Sequence, residues 1–113
     1  MANASITNSS NEYVPSKDAT GTAIADQSLT VAGTSVDMMA TAANAGTTYI
    51  HWTLTGANAY VTFDGTAAVG GSNGHYVSEN SSGVWSKDMA TDANWIREGA
   101  TSARLHISEF QSR

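Results

Sequence analysis

The chain has no cysteine, one proline and only five lysines and arginines in 113 residues. Without cysteine there is no disulfide framework and no thiolate metal site, and synthesis in a reducing compartment is expected. With so few cations there is no basic run to neutralise phosphates, which argues against nucleic acid as a partner. The same shortage, at a net charge of −5, argues against an anionic membrane surface. No apolar run reaches the length of a bilayer-spanning helix, and the opening residues, MANASITNSSNEY, lack the basic and apolar regions of a signal peptide. Charged residues are also scarce, at 13% against the usual quarter, so Ser, Thr, Asn and Gly must carry the surface. That composition is common among β-rich extracellular and virion proteins.

What is present alternates. From Tyr49 to Thr55, Ile50, Trp52 and Leu54 fall on one side of an extended strand, with His51 and Thr53 on the other. Gly56-Ala57-Asn58 offers a turn, and Val61 and Phe63 resume the alternation, which predicts a hairpin. A second hairpin is expected from Leu29 and Val31, a turn at Gly33-Thr34, and Val36, Met38 and Ala40. A third joins Trp95-Ile96-Arg97, through a turn at Glu98–Thr101, to Ala103, Leu105 and Ile107. Residues 17–27 show little periodicity. Residues 64–74 hold four glycines and read as loop. Ser86 with Asp88 and Met89-Ala90-Thr91-Asp92-Ala93 could cap and form one or two helical turns, too short to stand without packing.

Turn signals every ten residues or so predict an all-β fold. The expectation is an antiparallel β-sandwich or jelly-roll-like small barrel, with at most one short helical turn. Residues 17–113 form this single domain. Residues 1–16 are polar apart from Ile6, Tyr13 and Val14, and read as an extended N-terminal arm that orders against another surface or across its own sheet.

No constellation points to catalysis. No Gly-x-Ser-x-Gly elbow is present, and His51, His75 and His106 lie at no metal-ligand spacing. Asp88 and Asp92, four apart, read as a solvated pair, and Asp64-Gly65-Thr66 as a turn without the further acids of a calcium loop. No enzyme activity, cofactor or metal is expected. Trp52 reads as core. Tyr76 and Trp85, beside the Gly-rich segment, are the expected partner contacts, together with Ile6, Tyr13 and Val14 of the arm.

The second half carries VTFDGT at 61–66, GHYV at 74–77 after the Gly-rich loop, GVW at 83–85, MATDA at 89–93 and WIREGATSARLHISEF at 95–110. In these features the chain resembles small virion accessory proteins of tailed bacteriophages, of the capsid decoration or cement type. The resemblance covers about half the chain, and its motifs are structural. It implies a β-sandwich made in the host bacterial cytoplasm and carried on the capsid surface of the virion. There it would bind the major capsid protein at capsomer junctions and associate with copies of itself as a dimer or trimer. The alternatives are a tail-fibre or receptor- or carbohydrate-binding module, and a neck or tail connector present in few copies. Deletion of residues 1–14 is expected to leave a folded domain that attaches to heads more weakly, measured by co-sedimentation with heads. Equal attachment of the two forms removes the arm from the mechanism.

Overall fold

The computed structural model describes residues 21–112, and the arm expected over 1–16, with Ile6, Tyr13 and Val14, lies outside them. Among the described residues eight strands are formed: β1 (Thr22–Val31), β2 (Val36–Asp37), β3 (Tyr49–Thr55), β4 (Ala59–Thr62), β5 (His75–Val77), β6 (Ser82–Ser86), β7 (Asn94–Arg97) and β8 (Ala103–Gln111). A five-residue helix, α1 (Lys87–Thr91), follows β6, and a 3-10 turn (Gly70–Ser72) precedes β5. All strand pairs are antiparallel.

One sheet has the order β1-β8-β3-β6 and the other β2-β7-β4-β5. The two orders correspond place by place: each strand's counterpart in the other sheet is its neighbour along the chain. This is the double-sheet jelly roll. The expected all-β sandwich is therefore formed, but the three expected hairpins are not. In each case the two alternating segments are strands, and they belong to different sheets: β1 and β2, β3 and β4, β7 and β8. Only β4 and β5 are consecutive and paired, across the Gly-rich segment. Gly56-Ala57-Asn58 is thus a corner between layers and not a hairpin loop.

The alternation does locate the core. Ile50, Trp52 and Leu54 of β3 meet Ala103, Leu105 and Ile107 of β8 on the inner face of the first sheet. Ala59, Val61 and Trp95 cover the second. Met38 is fully buried, although the strand expected over Val36–Ala40 ends at Asp37 and Ala40 is exposed. The lack of periodicity before Gln27 has a local cause. A bulge between Ala23 and Ala25 shifts the register of β1 against β8, so the two-residue period breaks inside the strand. Ser86 caps α1 as its position predicts, its hydroxyl accepting from the Met89 backbone N–H at 3.1 Å, and the helix buries Ala90 against the sheets.

One inward position is charged. Glu109 continues the inner-face series Ala103, Leu105, Ile107 and is 2% exposed. One of its carboxylate oxygens accepts from the Thr47 hydroxyl at 2.7 Å, the Asn44 backbone N–H at 2.9 Å and the Asn44 side-chain amide at 3.1 Å. Burial pushes the Glu109 carboxyl upward, but the donated hydrogen bonds from Asn44 and Thr47 outweigh it and hold the group below its ordinary value of 4.5. The carboxylate ties the connection over residues 41–48 to β8 and closes that end of the sandwich. Because the folded state prefers the ionised form, this stability is present above the ordinary value and is lost as pH falls through the lowered one. Glu109→Ala removes the acceptor and strands the donors, with an expected loss of about 2–3 kcal/mol in chemical denaturation at pH 7. The variant should lose less stability than wild type when the pH is lowered below 4.5. An unchanged unfolding midpoint would refute the clamp.

Candidate functional site

Alternation puts Trp52 (β3) and Trp85 (β6) on the inner face of the first sheet, and Trp95 (β7) on the inner face of the second. The three rings meet. Trp52 lies 4.9 Å from Trp85 and 5.4 Å from Trp95, and Trp85 lies 5.9 Å from Trp95. Phe63, just past β4, sets its ring edge-on to Trp85 at 5.1 Å, and His75 at the start of β5 reaches Phe63 at 5.5 Å. Trp85 is thus half-buried and packs on the core. It belongs to an aromatic column that runs between the sheets and emerges at Phe63 and His75.

Gly83 makes this column possible. It faces Trp52 in the β3–β6 register, and a Cβ at this position would sit 2.9 Å from the indole. The ring therefore lies flat on bare backbone, which lets Trp85, two residues on, reach it. A side chain at residue 83 would lift Trp52 off the sheet.

Tyr76 has the opposite placement. It points outward from β5 and is 56% exposed. Tyr60 of β4 is its cross-strand neighbour, with the rings edge-on at 5.8 Å, and Ile96 of β7 pairs with Tyr60 on the other side. Ala59, Val61 and Trp95 are buried on the inner face, so Tyr60 and Ile96 lie on the outer one with Tyr76. The result is an apolar row, Ile96–Tyr60–Tyr76, across three strands of the second sheet. The Gly-rich segment lies alongside it, with Gly71 close to the Tyr60 hydroxyl and Val69 60% exposed. Tyr76 and Trp85, both expected as contacts, are therefore not brought together: one faces solvent and the other the core. Tyr60 and Ile96 were not singled out from the sequence, although their out-of-phase positions beside Val61 and Trp95 carried the signal.

A concavity of about 280 Å3 opens where the aromatic column surfaces, lined by Thr62, Phe63, Asp64, Thr66, Asn73 and His75. Asp64 accepts from both the hydroxyl (2.6 Å) and the backbone N–H (3.1 Å) of Thr66, and these bonds hold its carboxyl below the usual carboxylate range. Asn73 is fixed by the Val69 backbone N–H and the Ala67 carbonyl. Both side chains thus brace the loop, as expected of a turn. Asp88 and Asp92 are exposed on α1 and at its C-terminal end. Among the described residues no group of three His, Cys, Asp or Glu side chains could hold a metal ion. Nor is any described helix long and apolar enough to cross a membrane.

Comparison of the chain with family models, curated proteins and solved structures found no match. The functional reading therefore rests on the residues themselves. Gly83→Val is expected to destabilise the fold by about 1–3 kcal/mol through overpacking against Trp52, read as a lower unfolding midpoint and an altered near-ultraviolet tryptophan signal. A wild-type signal and midpoint would show that the ring does not depend on bare backbone.

Proposed function

We propose that this chain is a non-catalytic structural protein of a phage virion, a decoration or cement protein that binds the outside of the head at capsomer junctions and stiffens the shell. The observation that carries the reading is the outward-facing row Ile96–Tyr60–Tyr76, in which Tyr76 is exposed and Tyr60 and Ile96 are half-buried. Aromatic side chains set in a rigid sheet offer large contact area with little rotamer entropy to lose, which is the make-up of interface hot spots. The resemblance over residues 61–110 supplies the partner class, the major capsid protein. Ile6, Tyr13 and Val14 of the N-terminal segment would provide a second contact. Each attachment can be weak, because a repeating lattice engages many copies, and copies linked to one another bind with higher avidity than any single one.

A carbohydrate-binding or receptor module is the second reading, favoured by the concavity at Phe63. One aromatic ring flanked by a carboxylate, an amide and an imidazole suits a small saccharide. Binding of the isolated protein to a glycan panel, without binding to heads, would select it. A neck or tail connector would be told apart by its copy number.

Purified heads lacking the protein should bind it to a copy number near that of the major capsid protein, measured by gel densitometry, and should then release their genome at a higher temperature. Tyr76→Ser should weaken binding about tenfold or more while leaving the unfolding midpoint near wild type, because the ring is largely solvent-facing. Wild-type affinity in that variant would remove the row from the interface.

A further inference from the structure

A β-sandwich leaves four sheet edges, and in this protein they are unequal. Among the described residues β2 offers two residues of edge, β5 three and β6 five. β1 offers ten, hydrogen-bonded on one side only, to β8. An edge of that length exposes roughly 34 Å of backbone with unpaired N–H and C=O groups. Proteins normally blunt such an edge with lysine, proline, inward charges or bulges. Thr22–Val31 has no lysine, arginine or proline, and its one bulge lies near the start, between Ala23 and Ala25. From Ala25 to Val31 the ladder is regular.

We propose that β1 pairs antiparallel with β1 of a second copy of this chain about a twofold axis, joining the two first sheets into one of eight strands. Among the described edges, only another β1 matches ten residues of free ladder with ten. An antiparallel pair of identical strands is also isologous, so every contact occurs twice. Charge sets the register. The single charge on β1 is Asp26, and like charges directly opposite destabilise a ladder. Pairing centred on Ser28 puts Asp26 opposite Thr30 of the second copy and keeps the two carboxylates apart. Thr30 and Ser28 are the residues over which Arg104 extends, its guanidinium donating to their hydroxyls at 3.4 and 3.2 Å. All of these side chains lie on the outer face of the sheet. Each Asp26 therefore approaches Arg104 of the other copy, twice across the axis. The apolar row on the second sheet stays free, so the inference goes beyond the proposed attachment to heads and does not depend on it.

The absence of native cysteine makes the test direct, because Ser28→Cys introduces the only thiol in the chain. Opposed residues of an antiparallel pair lie about 4.5–5.5 Å apart at Cα, within disulfide reach. Full-length wild-type protein, without heads, should sediment as a concentration-dependent dimer at micromolar concentration. Ser28→Cys should oxidise to a covalent dimer at least tenfold faster than Val84→Cys, whose thiol would be exposed on β6, the opposite edge of the same sheet. Asp26→Lys should weaken the dimer about tenfold, and Asp26→Lys with Arg104→Glu should restore it. A wild-type chain that is monomeric at every concentration, or a trimer, would overturn the proposal. So would a dimer in which Ser28→Cys oxidises no faster than Val84→Cys. Loss of binding to heads with the dimer intact would count against the proposed function alone.

Discussion

The contact on which the sandwich depends is the meeting of Trp52 with Trp85 inside one sheet and with Trp95 of the sheet facing it. Much of the apolar content of this chain is alanine, which buries little area per residue. The three indoles therefore provide a large share of the surface removed from water between the layers. They can do so only because the backbone beneath Trp52 carries no side chain at Gly83. The column joins Trp52 of β3 to rings from β6 and β7, far along the chain from it and in opposite sheets, so it forms only when the two layers meet. In the same cross-strand row as Trp85, on the other side of Ile50, Glu109 plays the complementary part. A polar cluster of Asn44, Thr47 and one carboxylate replaces the apolar filling that the sequence does not supply there.

The faces of the strands were legible in the sequence; their partners were not. The two-residue period of Ile50-Trp52-Leu54 and of Ala103-Leu105-Ile107 reports which side chains are buried, and every one of these is buried. That period is the same whether the next strand lies beside the first or across the core from it. Short turns such as Gly56-Ala57-Asn58 serve a corner between layers as well as a hairpin. Pairing therefore differs at all three places, while a strand forms in each expected segment, shortened to Val36–Asp37 in β2. The β1 bulge hid the start of its strand by breaking the period, and Ser86 was readable because a cap depends on local chemistry alone.

The candidate contacts show the same division. Tyr76 and Trp85 stood out as aromatics beside a Gly-rich segment, and phase alone separates them: Tyr76 alternates with an inward Val77, whereas Trp85 alternates with an outward Val84. Tyr60 gains its importance from lying between Ile96 and Tyr76, a neighbourhood that exists only once the order β7-β4-β5 is known. Glu109 could have been noticed as a carboxylate in the apolar phase of its strand. Its donors, more than sixty residues earlier, could not.

The pairing of β1 with β8 joins the first described strand to the last. β8 also separates β1 from β3, so the first sheet has a gap at its second position until residues 103–111 are available. A chain emerging from the ribosome can collapse locally, but it cannot close the first sheet before β8 is released. Assembly of this domain thus waits for β8 and is governed by long loop closures, and it should be slow for a domain of this size. Until then β1 waits with both of its edges open, which makes the nascent chain most vulnerable to wrong pairing along the strand that later completes the sheet.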